Sequence, residues 1–191
     1  MRIPLHLSLL ACGAACLLSA CAPMLGRDDP ARQQLTVSVV NSLSWTNPLS
    51  GKRDGARTSW PLLSPGGAHE QFPLAQLRQC QPDGSCAWGV MRAERSIDGI
   101  SYGPSGVALD VTLVQDVARR QEVHQAEMNA AMAIPSDVAA LQSQRPWHQH
   151  LQLQYGQVRH VVLELGVAYD ICVRRIDAAG QVLDACDIPF I

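Results

Sequence analysis

Lysine is nearly missing from this chain: Lys52 is the only one among its 15 basic residues. No run of Lys and Arg exceeds two residues, as at Arg119-Arg120 and Arg174-Arg175, and the formal net charge is -2. Such a chain has no basic field to follow a phosphate backbone, which excludes nucleic acid as its partner. It also has no phosphate-cradling glycine loop, no nucleotide fingerprint, no HExxH and no carboxylate pair placed for acid–base work. These absences point away from an enzyme and imply no cofactor. No apolar run reaches the ~20 residues needed to span a bilayer. No internal repeat is found. What remains is globular composition, 47% hydrophobic and 17% charged over 191 residues. That length suits one domain with insertions.

The N-terminus has its own pattern. One charge at Arg2 is followed by apolar or small residues from Ile3 to Ala20, broken by His6, Ser8 and Ser19. A charged start, an apolar centre and a small-residue end make a secretory signal. The stretch closes on Leu18-Ser19-Ala20-Cys21, which resembles the lipobox of bacterial lipoproteins. The resemblance implies removal of residues 1–20, a diacylglyceryl and palmitate anchor on Cys21, and export. Ala22, in place of an aspartate, implies the outer membrane with the domain facing the periplasm. Cys12 also follows Leu9-Leu10-Ala11, but cleavage there leaves an apolar core of fewer than ten residues. Cys16 follows Gly13-Ala14-Ala15 and lacks the leucine. An ordinary signal peptide with an incidental cysteine is the alternative. Residues 21–34 form a polar tether reaching about 40 Å when extended.

Past the anchor four cysteines remain: Cys80, Cys86, Cys172 and Cys186. An even number in an oxidising compartment points to two disulfides. In CQPDGSC, Pro82-Asp83-Gly84 suits a three-residue hairpin loop, which sets Cys80 opposite Cys86. In CVRRIDAAGQVLDAC, Ala178-Ala179-Gly180 suits the same loop with Asp177 facing Gln181. Counting back sets Cys172 opposite Cys186. Both pairs fall at non-hydrogen-bonded sites, where Cα atoms lie ~4.5 Å apart. A metal site shared with histidines is the rival, without a CxxC pair to support it.

Alternation marks strands at 35–40, 86–95 and 107–117. Residues 41–67 read as loop from their Ser, Asn, Pro and Gly content. Residues 72–80 suit a short helical turn, and 98–106 a loop. Residues 119–133 are open between helix and edge strand. Residues 135–144 suit a short helix with Ser136 as N-cap. Gly156-Gln157 suits a hairpin between flanking strands, which pairs His160 with Leu153. The last hairpin joins 168–177 to 181–188. Short strands with hairpin turns predict a mainly β fold, an antiparallel β-sandwich with short helical insertions. One domain over 35–191 follows, with insertions near 41–67 and 119–144.

LELGVAYDICVRRIDAAG, residues 163–180, resembles the end of a fibronectin type III, immunoglobulin-like sandwich. Leu163, Gly166, Tyr169, Ile171 and Val173 fall in matching places, with Leu165 where that family has proline. The resemblance implies that Tyr169 is a corner tyrosine whose hydroxyl bonds the upstream backbone. If Tyr169, Ile171 and Val173 face inward, Cys172 faces out and its disulfide lies on the sheet surface.

The candidates for chemistry are few. His148 and His150 share a strand face, but His160 falls on the opposite one, which speaks against a metal. Ser105, in YGPSG, lacks the G-x-S-x-G spacing of a nucleophile elbow. Trp88 suits the core. Trp45, Trp60 and Trp147 sit in or near loops and are candidate contact residues. The sequence thus predicts a binding or assembly module held to the outer membrane and engaging another envelope, secretion or pilus protein. A small-ligand or glycan binder and an envelope enzyme inhibitor are the alternatives.

Overall fold

A computed structural model describes residues 35–62, 68–125 and 128–189. The leader, Cys21 and the tether lie outside the described residues. The strands in chain order are β1 (Thr36–Thr46), β2 (Arg53–Pro61), β3 (Ala68–Gln71), β4 (Ala75–Cys80), β5 (Cys86–Tyr102), β6 (Gly106–Ala118), β7 (Arg120–Gln125), β8 (Met128–Ala133), β9 (Ser143–Gln154), β10 (Arg159–Val162) and β11 (Ala168–Ile176). They form antiparallel sheets. The first, sheet A, is ordered β10-β11-β1-β2. The second, sheet B, is ordered β3-β5-β6-β9, with β4 also on β5, and β7 and β8 make a separate hairpin. The chain is a mainly β antiparallel sandwich.

The core lies between the sheets. Strand β6 shows how the sequence builds it: the odd positions Val107, Leu109, Val111, Leu113, Gln115 and Val117 are buried, and the even positions between them are half-buried. Val39, Leu43 and Trp45 of β1 meet them from sheet A, with Tyr169, Ile171 and Val173 of β11. Strands β1 and β11 are buried on both faces. On the outer face Val40 and Cys172 pack with Cys186 and Ile188 of the C-terminal tail.

Several expectations are corrected. The loop expected over 41–67 holds the end of β1 and all of β2, because the polar residues Ser42 and Ser44 are buried on the outer face of a strand that continues. The loop at 98–106 is mostly strand. Gly99 takes φ +58° at a register shift between Asp98 and Ser101, a bulge that bends β5 without ending it. No helical insertion is found among the described residues. Residues 72–80 contain β4, 119–133 form the β7–β8 hairpin, and 135–144 carry turns in which Arg119 donates to the Pro135 and Val138 carbonyls. The only helical element described is one 3-10 turn, Glu164–Gly166. There Leu165 holds φ 58°, which a proline ring cannot reach. This corner is therefore built differently from one that carries proline.

Nor do β9 and β10 form a hairpin. Strand β9 pairs with β6 in sheet B and β10 with β11 in sheet A. Gly156, at φ +78°, turns the chain across from one sheet to the other, and its N–H donates to the Val173 carbonyl at 2.9 Å.

Both disulfides join the cysteines named above. Cys80 stands opposite Cys86 in register, with Cα atoms 4.0 Å apart, behind a loop in which Gln81 N–H donates to Ser85 O. Cys172 bonds Cys186 with Cα atoms 5.9 Å apart. The loop before Cys186 closes with Asp177 N–H on Gln181 O, but its return arm leaves β11 after the Ile176–Val182 bridge. Tyr155 takes the neighbouring place on β11 at Val173, so Cys186 reaches Cys172 across the sheet face. The disulfide faces outward by parity, yet the tail buries it; it does not lie exposed on the surface. Arg175 holds this tail, donating from Nε and Nη2 to Asp184 at 2.8 and 2.9 Å. That ion pair keeps the Asp184 carboxyl below its ordinary value.

Candidate functional site

The three tryptophans expected at contact surfaces separate. Trp45 is 6% exposed and belongs to the core, because β1 extends past the point where a loop was expected. Trp60 is 49% exposed at the end of β2, an edge strand. Trp147 lies on β9, the opposite edge of the other sheet, on the inward-facing side. The structure does not bring Trp60 and Trp147 together. Trp88 is half-buried on β5 with the Arg78 guanidinium 5.3 Å from its ring centre.

The inward face of β9 changes along its length. Leu151 and Leu153 are buried, whereas Gln149 and Arg145 are exposed and Trp147 is half-buried. Sheet A offers only the four residues of β10 on this side. The sandwich therefore opens into a cleft of about 220 Å³ between β9, β6 and the end of β10. Leu113, Trp147 and Leu163 give it apolar walls, and Gln115, Arg145 and Glu164 are its polar lining. Across its lip Arg145 Nε lies 3.5 Å from Glu164 Oε1, and Ser143 donates to Glu164 Oε2 at 3.3 Å.

Gln115 was missed in the sequence, though its signal is visible. It stands in the buried phase of β6, where the other five positions are apolar. It is 5% exposed, and its Nε2 has no hydrogen-bond partner among the described residues. An unmet buried donor costs ~1–3 kcal/mol.

A string of polar groups lies behind Trp147. The Tyr169 ring meets Trp147 edge-on at 6.2 Å. Its hydroxyl has no partner among the described residues, so the corner-tyrosine bond to a carbonyl a few residues upstream, all of which are described, is not made. Burial pushes the Tyr169 hydroxyl pKa far up, and Arg95 partly opposes this. Arg95 is fully buried and donates from Nη2 to Glu70 Oε2 at 2.8 Å. The same oxygen accepts from Thr58 at 2.7 Å and from Asn41 at 3.4 Å. Glu70 and Arg95 belong to sheet B, Asn41 and Thr58 to sheet A, so this cluster bolts the sheets together.

The histidines stand on opposite sheets. His150 Nδ1 lies 2.8 Å from Asp110 and His148 Nδ1 2.8 Å from Thr112, on sheet B. His160 Nδ1 lies 2.6 Å from Asp170 on sheet A. Registers place Ser42 beside that aspartate, in the cross-strand order Arg57, Ser42, Asp170, His160. Ser42 Oγ is buried and has no hydrogen-bond partner among the described residues, so it is not joined to the His160–Asp170 pair. Ser105 sits in the turn after β5 and accepts the Tyr155 N–H at its carbonyl.

The long free edge beside the cleft is the other notable surface. Odd residues of β9 direct their backbone groups toward β6, as Tyr155 N–H does just beyond the strand. Even residues direct theirs outward. Pro146 occupies an even position, where the missing N–H costs the ladder nothing. From His148 to Gln152 the outward N–H and C=O groups face no described strand, and the Gln154 carbonyl accepts the Gln157 N–H at 3.2 Å. No protein-family model matches this chain, and neither does a curated protein or a solved structure.

Proposed function

We propose that this protein is a lipid-anchored binding module of the outer membrane whose protein partner adds a strand to the outward edge of β9. The observation that carries the reading is this twelve-residue strand, paired on one side and open on the other. Such an edge is a template for an incoming chain. Pro146 limits pairing to the segment after it, which gives the docked strand a defined register. The half-buried Trp147 stands beside that segment. The lipobox-like Leu18-Ser19-Ala20-Cys21 supports the anchor, and more than one acyl chain makes such attachment stable.

Two experiments test this. Cys21→Ser should move the protein from the membrane fraction to the soluble one; retention in membranes refutes the anchor. A photo-crosslinking residue at Gln154 should trap one defined protein in the source cell's envelopes. A crosslinker at Lys52, in the turn between β1 and β2, should not. Equal trapping from both positions, or none from Gln154, refutes docking at β9.

A further inference from the structure

We propose that the cleft between β9 and the end of β10 is a binding site for a neutral group with an apolar body and an amide or carbonyl head. This inference does not depend on strand addition at β9. Three observations carry it.

The first is size. At about 220 Å³ the cleft is smaller than the ~300–1,000 Å³ typical of drug-sized ligands, so it holds one ring or one branched chain. Trp147 offers such a group an indole, with Leu113 and Leu163 as further apolar walls.

The second is Gln115. A residue that only filled this core position would be apolar, as Leu113 and Val117 are on either side of it in the same phase. Instead the cleft wall contains an amide, 95% buried, whose nitrogen has no partner among the described residues. A ligand head supplies the missing bond. The side-chain amide offers a donor at one end and an acceptor at the other, so a primary amide matches both.

The third is charge. Arg145 and Glu164 face each other across the lip at 3.5 Å and cancel. A charged head would have to displace one of them and lose its own hydration, whereas a neutral head pays neither cost.

Benzamide is the probe, and ethylbenzene, which keeps the ring but not the head, is its comparison. Both are titrated into the full chain while the Trp147 indole N–H and the Gln115 side-chain amide are followed by NMR. Benzamide should shift both signals saturably, with a Kd of about 1 mM for so small a ligand. It should bind about tenfold more tightly than ethylbenzene, the worth of one buried hydrogen bond. Gln115→Leu should reverse that order. Gln115→Met, closer in shape, repeats the test should the leucine variant not fold. N-acetyl-phenylalanine amide separates two sources of the same chemistry. Tighter binding than benzamide assigns the cleft to a peptide segment, and weaker binding to a free small molecule. Equal affinity for benzamide and ethylbenzene, no saturable shift at Trp147, or benzamide binding unchanged in both Gln115 variants overturns the proposal.

Discussion

Glu70→Ala is the substitution whose cost follows most directly from the structure. The carboxylate that it removes accepts hydrogen bonds from Arg95, Thr58 and Asn41. Arg95 is 0% exposed, and its Nε and Nη1 have no partner among the described residues. Its cation would be left with none of its present bonds. Removing one member of a buried pair costs ~3–5 kcal/mol. That is a large part of the ~5–15 kcal/mol that holds a typical domain folded. For a domain of this size it lowers Tm by roughly 6–20 °C. The double variant Glu70→Leu/Arg95→Met removes the charge with its partner, and should lie within about 1.5 kcal/mol of the parent. Urea unfolding at pH 7, followed by circular dichroism with both disulfides intact, measures each. A loss below about 1 kcal/mol for Glu70→Ala, or a double variant as unstable as the single one, refutes the reasoning.

Three further outcomes follow from other parts of the molecule. Tyr169→Phe should leave stability unchanged or raise it by up to about 1 kcal/mol, since the hydroxyl it removes bonds nothing described; a loss above about 1.5 kcal/mol, read by the same unfolding curve, would show a hidden partner. Gly106→Ala should cost more than about 3 kcal/mol, because its Cβ would lie 2.1 Å from the Leu153 carbonyl oxygen, while Gly51→Ala, in open space at φ +70°, should cost only about 1 kcal/mol. Similar Tm values for these two variants would contradict the close approach of β6 and β9. Asp184→Asn should flatten the acid side of the stability curve. Arg175 depresses the Asp184 pKa in the fold, so this contribution is full above the unfolded carboxyl pKa and is lost as pH falls through the folded one. An unchanged acid-unfolding midpoint would show that the Arg175–Asp184 pair does not hold the tail.

Where one face of a strand was buried and the other wet, the sequence could be read. The alternation over 107–117 is β6, and the glycine loops at Gly84 and Gly180 take the left-handed geometry their hairpins need. Reading failed where both faces are covered. The serines of β1 looked like loop because polar residues usually mark solvent, yet Ser42 and Ser44 are buried. It failed again where a local turn had a non-local meaning. Gly156 does turn the chain, but nothing nearby says that the next strand joins the other sheet. The helix formers of 119–133 leave that stretch open between helix and edge strand; residues 128–133 pair as β8 because β7 is there to receive them. Of the candidate cleft only Trp147 was foreseen. Gln115 could have been found as the single polar residue in an apolar phase. Glu164 could not, because a 3-10 turn with a left-handed leucine places it.

The central claim is that a partner docks on the outward backbone of β9, and one substitution isolates it. Gln152→Pro removes an N–H that points away from β6, as Pro146 already does, so the sandwich should keep its circular dichroism and its Tm. Gln152→Ala is the comparison. Crosslinking from Gln154 in envelopes should give the same adduct in the alanine variant as in the parent, and little or none in the proline variant. Equal adduct yields in the proline and alanine variants, with both folded, would contradict strand addition at β9.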